Sequence, residues 1–316
     1  MSRATLRETC SSGCGRECHA VSAVRGSIDA MCGRYTVTVD PETIYGEFAC
    51  VEDDEHRDLI GGPYGGDLAR PRYNIAPTDQ VPVVLERSTD GDRTRGVRRL
   101  EPMRWGLVPS WAKDVAVGNR MFNTRVESLV GEGAKATFRT ALQRRRCLLP
   151  ASGFYEWQAL DAPRSPAGAG GRRTPKGGGK RAKRAYYITP ADGSLMALAG
   201  LWEFWRSPDG EPVRSATVIT VPAVGEMADI HDRMPLMLPR ESWGDWLQLD
   251  AEAQAVTELL LRPGDDVLDA MEFRPVGDRV GNVRNDDAEL IQRVEPAVRL
   301  DEASQQAAPA DQPALL

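Results

Sequence analysis

The chemistry that this sequence suggests starts at Cys32, which directly follows Met31 in the segment MCGRY. An initiator methionine is normally removed when the next residue is small, so a chain translated from Met31 would begin with Cys32. A terminal cysteine carries an α-amine and a thiol on adjacent carbons. This pair condenses with an aldehyde to an imine, which then closes to a five-membered thiazolidine. The reference pKa of an α-amine is about 7.7–8.0, so roughly a tenth of it is the free nucleophile at neutral pH.

The alternative is an ordinary internal cysteine that follows an internal methionine. An amine held in a peptide bond cannot form an imine, so the fate of residues 1–30 decides between the two interpretations. We expect these residues to be absent from the active protein, because the start codon lies at Met31 or because a leader is cleaved before Cys32. Cys10, Cys14 and Cys18 lack a fourth ligand and zinc-knuckle spacing, so no metal site and no cofactor are predicted.

The composition places the chain among large globular proteins. It has 316 residues, of which 41% are hydrophobic, enough for one large domain or two small ones. Six cysteines in this length exclude a disulfide scaffold, and no apolar run reaches the roughly 18 residues of a spanning helix. The N-terminus lacks the apolar centre of a secretory signal, so a reducing cytosolic compartment is expected.

Charge is segregated along the chain, although the formal net charge is only −6. Residues 101–206 contain 18 Lys/Arg and 8 Asp/Glu, a difference of +10, whereas residues 245–316 contain 6 and 16, a difference of −10. The middle of the chain could therefore face the phosphates of a nucleic acid. A solvated basic insertion combined with an acidic tail explains the same numbers.

Short strands must position these groups. The alternating pattern predicts strands at 33–39, 81–87, 153–158, 185–189, 195–205 and 213–221. Asp40 and Pro41 are typical of a helix start, and Pro208-Asp209-Gly210 indicates a hairpin turn. Further helices are predicted at 135–146, 241–248 and 251–261. Many strands and few helices favour a mainly antiparallel α+β domain.

The predicted domain covers residues 31–290. An acidic loop at 52–67 and a basic insertion at 160–184 interrupt it, and we expect the insertion to be disordered because Gly, Pro and eight cations bury no apolar face. The tail at 291–316, rich in Ala, Gln and Pro, is expected to be disordered as well.

Seven segments occur in an order that carries more information than any one of them. They are MCGRY (31–35), YNIAPT (73–78), RWGLVPSW (104–111), FNTRVE (122–127), CLLPASGFYEW (147–157), ALAGLWE (197–203) and HDRMPLML (231–238). Together they resemble the SRAP family of SOS-response-associated, abasic-site-processing proteins. The match runs from Met31 to about residue 250. The resemblance implies a compact barrel-like α+β fold, with a few peripheral helices and a positively charged groove for single-stranded DNA.

The resemblance also implies catalytic roles for four residues. Cys32 would be the nucleophile that becomes linked to the abasic site, and Glu156 would act as acid and base during ring opening and imine formation. His231 would shuttle protons near the attacked sugar carbon. Asn123 would hydrogen-bond near the Cys32 amine or a sugar hydroxyl. The ordinary alternatives are a solvent-facing glutamate, a structural histidine and a turn-forming asparagine.

Six further residues are candidates for contact with DNA, and three of them, all arginines, match phosphate-contacting positions of the family. Arg34, Arg125 and Arg233 would contact phosphates, although each could equally be an ion-pair partner. Pro77, Trp105 and Trp111 are candidates for a wedge that stacks on bases beside the lesion. A core position is as plausible for each tryptophan, and we expect at most one of the two to contact DNA.

The sequence thus predicts a DNA-repair protein that forms a thiazolidine cross-link between Cys32 and the aldehyde of an abasic site in single-stranded DNA. The cross-link would shield the lesion during the DNA-damage response, with lyase-type chemistry and without metal or organic cofactor. The predicted protein is monomeric, cytoplasmic and nucleoid-associated, has no membrane contact, and has the replication machinery as a candidate partner. Two alternatives stay open: a cysteine peptidase, self-cleaving or not, with His231 as base, and a noncovalent single-strand binder.

Overall fold

The computed structural model describes residues 32–51, 68, 70–88, 92, 96–160, 182–261 and 265–295. The predicted extension at 1–30, the loop at 52–67 and most of the insertion and tail lie outside these ranges. Two of the predicted boundaries differ from the structure. Lys183 and Arg184 already belong to a strand, and Arg293 forms a bridge with Val276 beyond the predicted end of the domain.

The strands and helices alternate irregularly along the described chain. The strands are β1 (Tyr35–Val37), β2 (Arg72–Ile75), β3 (Gln80–Ser88), β4 (Gly96–Trp105), β5 (Asn123–Arg125), β6 (Arg146–Ala151), β7 (Gly153–Ala159), β8 (Lys183–Pro190), β9 (Met196–Arg206), β10 (Pro212–Pro222), β11 (Arg233–Pro235), β12 (Met237–Leu238) and β13 (Met271–Val276). The helices are α1 (Pro41–Phe48), α2 (Ala136–Arg144), α3 (Met227–Ile230), α4 (Trp243–Leu247), α5 (Ala253–Leu261) and α6 (Asp265–Leu268). Short 3₁₀ turns occur at 115–120, 126–128, 240–242, 278–281 and 288–291.

Five strands close into a barrel. The order is β10-β4-β3-β6-β9, and β9 pairs again with β10. The pairs are antiparallel except that β10 runs parallel to β4 and to β5. The predicted barrel-like, mainly antiparallel α+β fold is therefore confirmed. Closure removes the exposed edges that an open sheet of this size would have.

A second sheet carries Glu156, and Cys32 lies just before one of its strands. Its order is β13-β8-β7-β1-β2, with all neighbours antiparallel. Strand β1 leads away from Cys32, and β7 lies beside β1 with Tyr35 opposite Phe154. This pairing joins two segments of the sequence that are about 120 residues apart.

Local chemistry explains the elements that the sequence predicted well. Asp40 caps α1 by accepting from the Thr43 backbone N–H at 2.7 Å, with Pro41 as the first helical residue. The β9–β10 hairpin turns at Gly210, which has a φ of 91° that glycine adopts without strain. In the described part of the chain, no helix is long and apolar enough to cross a membrane.

Candidate active site

The centre of the candidate site is the contact between Cys32 and Glu156. The Tyr155 backbone N–H donates to the Arg34 carbonyl at 3.0 Å, so the chain before β1 follows β7 back to Glu156. There the Cys32 nitrogen donates to Glu156 Oε1 at 2.5 Å. In the 316-residue chain this is a peptide nitrogen, and it is the atom that becomes the α-amine when a chain begins at Cys32.

Both partners are removed from solvent. Cys32 is 5% exposed and Glu156 is 1% exposed, so the alternative of a solvent-facing glutamate is wrong. Burial raises the pKa of Glu156, while nearby His231 and hydrogen bonds from Cys32 partly oppose this shift. A carboxyl group in this environment holds its proton to a higher pH than an exposed glutamate, as a general acid requires.

The environment of Cys32 does not activate its thiol as a nucleophile. Its pKa is raised well above the usual value, first by burial and then by the charge of Glu156 and a hydrogen bond to it. The thiol therefore stays protonated at neutral pH. The backbone of Cys32 has a φ of 38°, in the left-handed region that non-glycine residues seldom adopt.

Strand β7 also positions His231, through α3. Gln158, two residues beyond Glu156 on the same strand, donates to the Asp229 carbonyl at 2.9 Å, and His231 directly follows that helix. The His231 Nδ1 accepts from the Arg233 backbone N–H at 3.1 Å and lies 3.0 Å from Asp232 Oδ1. Nδ1 accepts from Arg233 when the ring proton is on Nε2 and can donate to Asp232 when the proton is on Nδ1, so the two contacts belong to different protonation states of the ring.

Arg233 is paired within the protein. Its guanidinium donates to both carboxylate oxygens of Glu127, at 2.6 and 2.9 Å, and to the Thr220 carbonyl at 2.7 Å. Arg233 is 7% exposed, and its hydrogen bond lowers the pKa of Glu127. The Arg233 guanidinium, which the resemblance assigns to a DNA phosphate, thus forms hydrogen bonds with a carboxylate in the DNA-free protein.

Strand β10 brings Arg125 to the same end of the barrel as Arg233. Thr220 lies opposite Arg125 of β5 on one side and Pro235 of β11 on the other, so Arg125 and Arg233 lie on strands that flank β10. Arg125 is exposed, and Asn123, at the start of β5, is half-buried. Asn123 therefore lies on the strand that carries Arg125.

Arg34 has a structural partner set. It is half-buried and donates to Asn74 Oδ1 at 2.9 Å and to the Val280 carbonyl at 2.8 Å. Burial lowers the pKa of its guanidinium. Arg34 therefore ties β1 to the 3₁₀ turn at 278–281, and among the three predicted phosphate contacts Arg125 is the most exposed.

The three wedge candidates have different surroundings. Trp105 is 1% exposed, packs edge-on against Tyr35 and Phe122, and donates its indole N–H to the Phe122 carbonyl. Its ring has no open face for a base, which corrects the prediction that Trp105 contacts DNA. Trp111 is 62% exposed and Pro77 is half-buried, so these two stay candidates.

The sequence patterns did not identify the segment at 278–291, which supports the site through hydrogen bonds to Asn74. The buried amide of Asn74 donates to the carbonyls of Val280, Asn282 and Asn285, and Asp286 accepts from the backbone of Asn74 at 3.0 Å. Asn74 belongs to the YNIAPT motif, and this motif was the feature of the sequence that could have marked Asn74 as important. Its partners lie more than 200 residues away, so no local pattern identifies them.

The arrangement can move protons at a buried nitrogen and sulfur. A carboxyl that burial favours in its acid form contacts Cys32, and an imidazole lies near enough to lower the pKa of that carboxyl. Within the described ranges, no group of three or more His, Cys, Asp or Glu side chains could hold a metal ion.

Comparisons with known proteins show which family the chain resembles. The sequence matches the family model of the SOS response associated peptidase (SRAP) over residues 31–283. It is 34% identical to the abasic site processing protein YoqW of Bacillus subtilis over 262 residues, which is 83% of this chain and 99% of that protein. It is 31% identical to the mouse abasic site processing protein HMCES over 280 residues, covering 83% of this chain and 75% of that protein.

Solved structures show the same fold. A protein from Bacteroides thetaiotaomicron superposes with a TM-score of 0.64 at 18% identity and covers 84% of this chain and all of that one. At this identity the likeness concerns the fold alone.

Proposed function

The chain belongs to the SRAP family, and from this membership and the geometry of Cys32 and Glu156 we propose that it processes abasic sites in DNA. The reacting group is the aldehyde of the ring-opened abasic sugar. The product is a thiazolidine that joins Cys32 to C1′ of that sugar. Covalent capture shields the lesion from strand cleavage and from error-prone copying.

One observation carries the proposal: the nitrogen of Cys32 lies 2.5 Å from a carboxylate oxygen of Glu156, and both residues are buried. A nitrogen that attacks an aldehyde must lose protons, and the resulting hydroxyl must gain one to leave as water. A carboxyl group within hydrogen-bonding distance of the nitrogen can do both.

The proposed reaction balances without an oxidant or reductant. The α-amine of Cys32 adds to C1′, forming the C–N bond, and Glu156 protonates the hydroxyl of the carbinolamine, which leaves as one water molecule. The sulfur then adds to the imine carbon, forming the C–S bond, and the thiol proton passes through Glu156 to the ring nitrogen. His231, whose charge acts on Glu156, can return protons to the carboxylate.

The state of the thiol supports attack by the amine first. Cysteine nucleophiles of peptidases are activated by a neighbouring cation that lowers the thiol pKa. For Cys32 the pKa is raised, by burial and by the adjacent Glu156. In a chain that retains Met31 the thiol is therefore not activated in the way that a peptidase nucleophile is, which disfavours the self-cleaving peptidase alternative.

The DNA side of the proposal rests on exposed Arg125 at the end of β5, exposed Trp111 in the loop after β4 and half-buried Pro77 between β2 and β3. Arg125 is available to a phosphate, and Trp111 and Pro77 to bases that flank the lesion. Unpaired, unstacked bases can reach such side chains, which favours single-stranded DNA as the substrate. If the imine undergoes β-elimination, Glu156 or His231 would take the C2′ proton while the C3′–O bond breaks.

The test uses a chain that begins at Cys32 and a single-stranded oligonucleotide with one abasic site. The proposal predicts an adduct that survives denaturation, that is absent with an intact strand and that is lost in Cys32→Ala. Cys32→Ser keeps the amine but not the thiol, so it should give only an imine that borohydride traps. Peptide turnover without an adduct supports a peptidase. Equal retention of both strands, with indifference to Cys32→Ala, supports a noncovalent binder.

A further inference from the structure

The loop from Leu107 to Met121 is a compact unit that presents Trp111. The Leu107 backbone N–H donates to the Met121 carbonyl at 3.0 Å and closes the base of the loop. Near this base Gly106 and Gly118 approach so closely that a Cβ on Gly118 would lie 2.5 Å from the Gly106 carbonyl oxygen. Compact loops with adjacent ends are frequently functional.

This loop, the Trp111 loop (107–121), has its own small core. Val108 and Ala112 pack with Trp205 of β9, and the Trp205 indole N–H donates to the Ala112 carbonyl at 2.7 Å. Trp111 is 62% exposed, whereas Ala112 beside it is 8% exposed. The exposure of Trp111 is therefore fixed by the anchoring of its neighbours.

The second element is the Pro77 turn (76–79), between β2 and β3. Thr78 has a φ of 87°, which is a genuine outlier for a β-branched residue. The turn is held by surrounding hydrogen bonds: Thr78 donates to the Trp105 carbonyl at 2.8 Å, and Trp105 donates back to the Asp79 carbonyl at 2.8 Å. Backbone strain that the surroundings maintain in this way is concentrated at functional sites.

Arg104 connects the two elements. Its Nη1 donates to the Thr78 carbonyl at 2.9 Å, and its Nη2 donates to Asn119 Oδ1 in the Trp111 loop. The guanidinium is a rigid planar fork, so it sets the separation between its two acceptors. A lysine ammonium at the end of a flexible stem cannot fix two acceptors in the same way.

We propose that Arg104 is a positioning residue that holds the Pro77 turn and the Trp111 loop at one separation, so that Pro77 and Trp111 enter the strand beside the lesion as a single rigid wedge. This inference rests on the proposed function, because it assumes that these two side chains meet abasic DNA. The competing explanation is that Arg104 only supplies positive charge to a phosphate.

The two explanations differ for variants that separate charge from geometry. Asn119→Ala removes one acceptor and leaves the charge of Arg104, while Arg104→Lys keeps the charge and loses the fork. Positioning predicts that both variants, like Arg104→Ala, slow cross-linking to the abasic oligonucleotide by about tenfold or more. The charge explanation predicts near-normal rates for the first two and a loss only in Arg104→Ala.

A second readout separates the wedge from the chemistry. The same variants should react with free 2-deoxyribose at the rate of the parent protein, because a free sugar needs no wedge. 2-Aminopurine next to the lesion should brighten on binding the parent protein, as its base unstacks, and should brighten less with the variants. Arg144→Ala, an exposed charge loss on α2, serves as the matched control and should behave as the parent.

Asn119 is exposed, so its replacement keeps the test valid even if an Arg104 variant fails to fold. Parent-like cross-linking by Asn119→Ala and Arg104→Lys would overturn the positioning role. Equal slowing with the oligonucleotide and with free 2-deoxyribose would also overturn it. If the parent protein reacts with neither substrate, the proposed function itself has failed, which is a distinguishable result.

Discussion

Glu156 is a buried acid beside the Cys32 nitrogen, which changes its number of protons in the proposed reaction. Its carboxylate accepts from Cys32 and interacts with the charge of His231. A glutamate in the interior is costly unless it has such partners. These two partners offset the cost of burying Glu156 on a central strand.

Glu156→Gln should slow adduct formation by about 100-fold, because the amide accepts the same hydrogen bond but cannot exchange a proton. The measurement is the rate at which the denaturation-resistant adduct appears in single-turnover time courses. Glu156→Asp keeps an acid but withdraws it by one methylene, so an intermediate rate is expected. A Gln variant as fast as the parent would remove Glu156 from the mechanism.

The same substitution should affect stability with a defined pH dependence. In a chain that retains Met31, burial raises the pKa of Glu156, so the folded state binds this proton more tightly than the unfolded state. Its contribution to stability is therefore largest below the ordinary glutamate pKa and is lost as pH rises through the folded pKa. Glu156→Gln should raise Tm at pH 8 by about 2–4 °C, and this gain should shrink towards pH 4.

Thermal unfolding of the two chains across this pH range is the measurement. A gain that grows as pH falls would contradict the burial argument. Chains that begin at Cys32 should show a smaller gain, because their charged α-amine can pair with the Glu156 carboxylate.

At the scale of elements, the pairing of β1 with β7 determines whether Cys32 and Glu156 meet. Gly153 opens β7 and lies against the ring of Tyr187 on β8, where an added Cβ would come within 2.3 Å of a ring carbon. Only a residue without a side chain lets β1, β7 and β8 approach one another this closely.

Gly153→Ala should therefore destabilise the fold by about 1–3 kcal/mol and slow adduct formation, since β7 must shift to accommodate the methyl group. Gly46→Ala is the matched control, because Gly46 lies in α1 with no atom within 4 Å of an added Cβ. It should stabilise by about 0.5–1 kcal/mol. Urea unfolding of both variants tests the pair, and effects of the same sign would contradict the packing argument.

The elements differ in how far the sequence could predict them. The start of α1 and the turn at Gly210 follow from local chemistry, in the Asp40 cap and the glycine φ, and both are confirmed. Residues 135–146 were predicted as one helix. The structure ends α2 at Arg144 and makes Arg146 a buried strand residue whose guanidinium bonds the carbonyls of Leu142 and Gln143.

The sequence predicted a site residue only where a motif identified it. The contacts between the site residues could not be predicted. Glu156 and Cys32 were assigned by resemblance, but their contact depends on strand pairing over 124 residues. The sequence did not decide which of Trp105 and Trp111 is buried, because burial depends on the whole barrel. Arg34 and Arg233 illustrate the same limit, since their partners Val280 and Glu127 lie far along the chain.

At the scale of the whole molecule, charge segregation gives a protein of net charge −6 a basic middle region with a surplus of +10 over residues 101–206. The exposed Arg125 belongs to this region, whereas the guanidinium groups of Arg34 and Arg233 donate hydrogen bonds to other groups of the protein. Electrostatic attraction to DNA should therefore depend on a few exposed groups rather than on net charge.

Arg125→Ala should weaken noncovalent binding of intact single strands and lower the slope of log affinity against log salt by about 0.7, the loss of one phosphate contact. Arg144→Ala on α2 should leave the slope unchanged. Binding isotherms at several salt concentrations provide the measurement. An unchanged slope in Arg125→Ala would exclude it as a phosphate contact.

The most direct test is mass spectrometry of the adduct after nuclease and trypsin digestion. Thiazolidine formation at Cys32 predicts the peptide Cys32-Gly33-Arg34, with a free N-terminus in the starting protein, joined to the abasic sugar with the loss of one water. Borohydride should not change its mass, and iodoacetamide should not alkylate its sulfur. A modified peptide that still carries Met31, or an adduct whose Cys32 thiol is alkylated, would contradict ring closure at this residue.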